Sequence, residues 1–568
     1  PYTMRVCVVG AGAAGLPSIK ACLEEGLEVV CYEKTADIGG LWNYRPNGPE
    51  VGGTVMATTV VNTSKEMMAY SDFPPDEKLP NFMHHSLLLK YIRDYAAHFD
   101  LLKHIRFNTT VKMITKEGDQ WRVQLEKGDV EHFDRLLLCT GHHVQPQYAQ
   151  LRGVDAFLGK MMHAHEYRDF RGFEGKDVFL LGIGNSALDI AVDLAKIAKS
   201  VTISTRRGSW IFNRVSQGGM PYDTLLMTRV YDWLMKTIPW TVANDFMEHR
   251  LQQRMDHDIY GLRPAHRFFQ QHPTVNDALA NLLCAGLVTI TEDVECLTSD
   301  SVVVKGGRSF PCDVFISCTG YTFGYPYLEQ GTVPITDHRV DLYKYVFPME
   351  REDVGVIGLI QPIGSIAPIA EMQARWCARV FAGRVGLPSC NERKADLERK
   401  QREMKRRYFE STKHTIQVDY LKYMDELSEL IGCHPRPSQY LLSDPTFALQ
   451  LIAGPNVPYA YRLQGPHAWD GARKAIEEVG ARVKKPLKNR ECRMRKHKRR
   501  GRMNEWFRYL SLKWIAGWTT FFITVFLFAL CSTPLAPLTY LTLVTVFLLL
   551  FVFMLLWFDL QYDMTTVL

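Results

Sequence analysis

The residues equipped for chemistry are two glycine-rich turns and the charged groups that follow them. Gly10-Ala11-Gly12-Ala13-Ala14-Gly15 has the spacing G-x-G-x-x-G. Its glycines answer three demands: a tight turn, close approach of backbone to a pyrophosphate, and close packing of a helix whose N-terminal N–H groups face the anion. Eighteen residues after Gly15 stands Glu33, where a carboxylate accepts the hydroxyls of a ribose diol and repels a 2′-phosphate. This site suits FAD or NAD. Gly182-Ile183-Gly184-Asn185-Ser186-Ala187 repeats the pattern with alanine in third place, which is tolerated at slightly looser packing. Leu188 and Asp189, just inside the following helix-forming stretch, are grouped with it. The next strand ends not in an acid but in Thr205-Arg206-Arg207. Arginine makes bidentate, charge-assisted bonds to phosphate, so this pair selects the 2′-phosphate of NADPH.

Such turns work only if a strand delivers them and a helix receives them. Strand-like runs at Arg5 to Val9, Leu27 to Tyr32, Arg135 to Cys139, Asp177 to Leu181, Ser200 to Ser204 and Asp313 to Cys318 alternate with helix-forming stretches, the signature of a doubly wound α/β fold. The expected architecture is α/β: two Rossmann-like dinucleotide-binding domains, for FAD and NADPH, a helical insertion and a C-terminal transmembrane anchor. Residues 4–160 form the first part of the FAD domain. Residues 161–325 form the NADPH domain, with a mostly helical insertion over 208–288. Residues 326–482 complete the FAD domain, 483–513 are a basic juxtamembrane segment, and 514–558 are the anchor. Asn391 to Phe409 reads as a charge-dense exposed helix.

Composition narrows the function classes. The chain has 568 residues, 46% of them hydrophobic and 23% charged, with a net charge of +6, enough to bury a large core over two or more domains. The basic excess is concentrated between Lys484 and Arg502, so a nucleic-acid-binding body is not expected. Thirteen scattered cysteines without a C-x-x-C pair argue against a disulfide framework, a structural zinc site and a disulfide reductase, and for a reducing compartment. No metal is expected. Met4 leads straight into the first strand, so no cleavable signal peptide is expected.

Between the two nucleotide motifs lies Phe157-Leu-Gly159-Lys-Met-Met-His163-Ala-His-Glu-Tyr167, which resembles the fingerprint F-x-G-x-x-x-H-x-x-x-Y of the microsomal flavin-containing monooxygenases. The likeness runs from about Met4 to about Arg482. It includes Asn62-Thr63-Ser64-Lys65-Glu66-Met67, Tyr70-Ser-Asp-Phe-Pro74, Leu138-Cys-Thr-Gly141, Cys318-Thr-Gly-Tyr321 and Glu371-Met-Gln373-Ala-Arg-Trp376. The resemblance implies FAD and NADPH as cofactors and a cycle in which NADPH reduces the flavin, oxygen adds to form a 4a-hydroperoxyflavin, and a small lipophilic substrate receives one oxygen atom. Attack on nitrogen or sulfur is the expected chemistry, with oxygen insertion into ketones or release of hydrogen peroxide as alternatives. It places Asn62 at the flavin's reactive edge, assigns Gly40, Leu41, Trp42, Thr63, Val111 and Gln373 to the FAD site, and gives His163 a linker role.

From Trp514 to Phe558 there is no charged residue, a stretch long enough for one or two membrane crossings at ~20 residues each. Eight Arg or Lys between Arg490 and Arg502 precede it and read as a positive-inside cytosolic flank with affinity for anionic lipid, with a retention element as the alternative. The expected location is the endoplasmic reticulum membrane, with the catalytic domain facing the cytosol. The expected partners are small substrate, molecular oxygen and membrane lipid; self-association into a homo-oligomer is left open.

Overall fold

The computed structural model describes residues 3–46, 55–216, 218–336, 339–407 and 415–488. The basic run beyond residue 488 and the expected anchor over 514–558 lie outside the described residues. Among the described residues no helix is long and apolar enough to cross a membrane.

Two five-stranded sheets organise residues up to Leu487, and every neighbouring pair within them is parallel. The first contains β1 (Arg5–Val9), β2 (Glu28–Tyr32), β3 (Ile105–Arg106) and β4 (Arg135–Leu138). The second contains β5 (Lys160–His163), β6 (Asp177–Leu181), β7 (Ser200–Ser204), β8 (Thr289–Thr291) and β9 (Val314–Ser317). The strand β10 (Val354–Val356) returns to the first sheet, whose order is β10-β4-β1-β2-β3. The second runs β8-β7-β6-β9-β5. In the first sheet β1 lies centrally between β2 and β4, and in the second β6 lies centrally between β7 and β9, so the order reverses at the central strand. That is the switch point where open α/β sheets bind ligands beyond the carboxyl ends of their strands.

Continuous apolar runs form these strands because both faces are covered. Val6 and Val8 point into a core shared with α1 (Gly15–Glu24) and the helix Ile366–Phe381, while Cys7 and Val9 point into another built on Trp121 and Phe133 of an antiparallel layer. The alternation recurs in β6. Val178 and Leu180 face α2 (Asn185–Leu194), and Phe179 and Leu181 face the opposite core with Phe157 and Phe315.

The chain crosses between the sheets twice, at adjacent places, where Gln145–Pro146 pairs antiparallel with Tyr321–Thr322. Ala149, Leu151 and Phe157 already belong to the core of the second sheet. The first crossing therefore falls at Gln145–Pro146, ahead of residue 160, and the return at Tyr321–Thr322. The insertion holds the helices Tyr222–Leu226, Arg229–Thr237, Trp240–Arg254 and Leu279–Cys284. It is tied to the C-terminal part of the FAD domain by a two-bond Arg229–Asp425 pair at 2.7 and 2.9 Å and by Asn456 N–H donating to Met227 O at 2.8 Å. The charge-dense helix is Cys390–Arg407, and of its side chains Arg393 alone is buried.

Candidate active site and cofactor cradles

The first glycine turn leaves the carboxyl end of β1 and is compressed. Gly10 has φ +99°, and a Cβ on Gly15 would stand 1.8 Å from the Gly10 carbonyl oxygen, a separation no side chain permits. Gly40, with φ +53°, brings its backbone over the turn so that an added Cβ would lie 3.2 Å from Gly12 Cα. Gly40–Trp42, including Leu41, forms one 3₁₀ turn there, and Gly39 N–H donates to Ala11 O at 3.1 Å. Tyr70 OH donates to Ala13 O at 2.9 Å. The amides of Gly12 and Ala13 have no acceptor among the described residues and lie at a helix N-terminus suited to a pyrophosphate.

Glu33, at the end of β2, is buried. One of its oxygens accepts Ala11 N–H at 2.8 Å; the other accepts Thr35 N–H at 2.9 Å and Thr35 Oγ1–H at 2.7 Å. The oxygen that accepts only Ala11 N–H keeps a lone pair for a ribose hydroxyl. Gly358 approaches Ala14 Cβ, and Val111 packs in the core that holds Val9 and Tyr32. Gln373 is fully buried, accepting Gly358 N–H at 2.8 Å and donating to Tyr423 OH at 2.9 Å. Its amide steadies the Gly358 turn behind Ala14.

The second turn is roomier. Gly182 has φ +114°, and a Cβ there would meet Cys318 O at 2.7 Å, but at Gly184 an added Cβ meets nothing within 4 Å. Ala187 and Leu188 are fully buried, while Ser186 is exposed. Asn185 Oδ1 accepts Val275 N–H at 2.9 Å, so this motif residue also holds the insertion. Asp189 is half-buried, and burial pushes its carboxyl up to about 6, opposed by Arg214. Thr205 Oγ1 accepts Gly208 N–H at 3.0 Å and shapes the turn from which Arg206 and Arg207 extend, both exposed.

Between the two cradles runs the segment carrying Asn62 and Thr63, both half-buried. The residues around Asn62 are pinned one after another. Val61 N–H donates to Met83 O at 3.0 Å and Lys65 N–H to Asn81 O at 2.8 Å. Lys65 is wholly enclosed, its ammonium donates to Glu77 O at 2.6 Å and Leu79 O at 2.8 Å, and burial lowers it to about 8. Glu66, also enclosed, receives Tyr459 OH at 2.7 Å and Arg482 Nε at 2.9 Å. The Asn62 amide makes no hydrogen bond to the described residues. At the opposite end Ala57 N–H reaches Arg168 O at 2.8 Å, and Met56 joins the core of the second unit. The segment thus spans both units and presents an uncommitted amide from a fixed backbone.

The resemblance motifs find one another in space. Ser71 donates to Glu371 through its N–H at 2.6 Å and its hydroxyl at 2.7 Å, and Glu371 pairs with buried Arg462 at 3.2 Å. His163 is fully buried, with Nδ1 accepting His165 N–H at 3.0 Å, and its ring lies 5.4 Å from Tyr321 at the double crossing. His163 thus sits beside the double crossing. Sequence reading missed Arg214 and Asp223 of the insertion. Arg214 pairs with Asp277 at 2.7 Å and reaches Val60 O at 3.4 Å, while Asp223 Oδ2 accepts Ser64 N–H at 2.6 Å. No spacing rule links residues so far apart in the chain.

Two parallel-sheet units bridged by the Asn62 segment, one with a ribose-binding acid and the other with an arginine pair, define a two-dinucleotide flavoprotein. The described residues fit both groups, through free loop amides and Glu33 for FAD and through the open space at Gly184 with Arg206 and Arg207 for NADPH. Residues 3–526 match the family model described as flavin-binding monooxygenase-like, and the chain belongs to that family. It is 44% identical to flavin-containing monooxygenase 5 of Homo sapiens over 499 residues, 86% of this chain and 93% of that one. It is 41% identical to dimethylaniline monooxygenase [N-oxide-forming] 2 of Mus musculus over the same shares. Among solved structures, S-allyl-L-cysteine S-oxygenase from Allium sativum has the same fold, with a TM-score of 0.59 at 24% identity, covering 84% of this chain and 99% of that one. The protein is an NADPH-dependent flavoprotein monooxygenase that uses FAD.

Proposed function

We propose that the protein oxygenates small lipophilic compounds at nitrogen or sulfur, with Asn62 as the protein group at the reacting edge of FAD. The observation that carries this reading is the Asn62 segment, whose backbone is pinned on both sides while its amide makes no hydrogen bond to the described residues. Preorganised donors stabilise developing charge because they need no reorganisation when the reaction occurs. When bound, the two cofactors would supply the hydride and the activation of oxygen; Glu33 and the first glycine turn would hold FAD, and Gly184 with Arg206 and Arg207 would hold NADPH. A nitrogen or sulfur substrate needs no acid–base pair from the protein, only placement. The name of the mouse relative, dimethylaniline monooxygenase [N-oxide-forming] 2, supports an amine as substrate.

Incubation of holoenzyme, NADPH and oxygen with a tertiary amine, a thioether and a linear ketone, each separately, tests the substrate class. N-oxide or sulfoxide formed in step with NADPH consumption is expected. Ester from the ketone as the dominant product, or hydrogen peroxide in all three reactions, overturns it.

Residues 514–558 are the proposed membrane anchor and the basic run before them its cytosolic flank, placing the catalytic units on the cytosolic side of the endoplasmic reticulum. The uncharged stretch and the adjoining eight basic residues support this. Protease treatment of sealed microsomes is expected to digest catalytic-domain epitopes. Protection until detergent is added contradicts that orientation.

A further inference from the structure

We propose that Asp223, on the insertion helix Tyr222–Leu226, is a positioning residue for Asn62: its carboxylate holds the Ser64 amide and so fixes the turn that presents the Asn62 side chain. This rests on the reading of Asn62 given above. The contact joins residues 159 positions apart at 2.6 Å. It is the insertion's grip on the far side of Asn62; Arg214, reaching Val60 O, is its grip on the near side. Asn62 therefore lies between two clasps that both come from the insertion.

The surroundings of Asp223 are unusual for a residue that only packs. Its Oδ1 and the Ser64 Oγ are both enclosed without hydrogen-bond partners. Leaving a carboxylate oxygen buried and bare is costly, and burial raises this carboxyl to about 6. A surface aspartate could have served a simple tether at less expense. Tyr420, from the helix Tyr420–Ile431, is a titratable neighbour of Asp223; its hydroxyl is directed to Asn456 O at 3.3 Å, and burial, with the Asp425 and Asp223 charges adding to it, pushes its ionisation up. Placing the acceptor on the insertion makes the geometry of the Asn62 turn depend on the insertion being seated.

The proposal separates acceptor geometry from charge and from bulk packing. Asp223→Asn keeps an oxygen for the Ser64 N–H; Asp223→Ala removes it; Asp223→Ser keeps polarity but is one atom too short. Full-length FAD-loaded enzyme is assayed with a thioether for kcat, for the KM of NADPH, and for hydrogen peroxide released per NADPH. In Asp223→Ala and Asp223→Ser, kcat for oxygenation is expected to fall about 10- to 100-fold, the scale of a misplaced catalytic group, with the KM of NADPH unchanged within about twofold. Asp223→Asn is expected to restore coupling. If Asp223→Ala loses its flavin, Asp223→Ser carries the comparison. Wild-type coupling in either short variant, or equal uncoupling in Asp223→Asn, overturns the proposal. In an Asn62→Ala background Asp223→Ala is expected to add nothing, since it acts through Asn62; an additive loss overturns it. Asn62→Ala alone distinguishes the two readings, because full coupling there defeats the role of Asn62 itself.

Discussion

In the first nucleotide unit a methyl group at Gly15 would lie 1.8 Å from a backbone oxygen, whereas the matching place in the second unit is already Ala187, and a methyl at Gly184 would meet nothing within 4 Å. The first turn is closed on itself by Gly39, Gly40 and Tyr70, and its acid is engaged by the turn's own amide. The second carries its selecting charges on an exposed edge. One topology thus yields a cradle that keeps its ligand through turnover and another that admits and releases one.

The largest expected contrast comes from adding one methyl to each turn. Gly15→Ala forces backbone apart, a cost of about 3 kcal/mol or more at the upper range of overpacking, and is expected to yield protein without flavin. Gly184→Ala has room in the protein, so its melting temperature with FAD should match wild type within the effect of about 0.5 kcal/mol. Its KM for NADPH should rise because the methyl occupies space the pyrophosphate needs. Thermal unfolding and flavin absorbance check both, and equal flavin loss in the two variants would break the comparison.

Next in size is the charge on the second unit. Arg206→Ala with Arg207→Ala is expected to raise the KM of NADPH about 10- to 100-fold, the ~1.5–3 kcal/mol of each charged bond being reduced by solvent screening. Use of NADH should not change.

A third contrast, seen only on changing pH, is particular to the second unit. Asp189 titrates at about 6 when folded, against an ordinary value of 3.8. The folded state thus holds its proton more tightly than the unfolded one. Its stabilising contribution is complete below 3.8 and is lost as the pH rises through about 6. Asp189→Asn should therefore be more stable than wild type at pH 8, on the order of 1–3 kcal/mol, and level with it near pH 4. Denaturant titrations at both pH values measure this; a pH-independent difference would assign the change to packing.

Much of this arrangement was legible in the residues. Glycine spacing, Glu33 and the Arg206–Arg207 pair are local in sequence because a strand, a turn and a helix make each cradle, and the apolar runs of β1 and β6 mark strands covered on both faces. The return of β10 to the first sheet was less visible, as were the early crossing at Gln145–Pro146 and the burial of Gln373 against the Gly358 turn. Each depends on contacts between distant segments. Asp223 illustrates why: one aspartate in a helical insertion has no periodicity or motif to announce that it meets Ser64.

The central claim is that the two units divide the work by cofactor, FAD in the first and NADPH in the second. Anaerobic stopped-flow reduction of the purified yellow enzyme tests it directly, with NADPH and NADH compared in wild type and in the Arg206→Ala, Arg207→Ala variant. The account predicts that NADPH reduces wild-type flavin far faster than NADH at subsaturating concentrations, and that the variant loses this preference while keeping its flavin. Equal rates with the two reductants in wild type, or an undiminished preference in the variant, would contradict it.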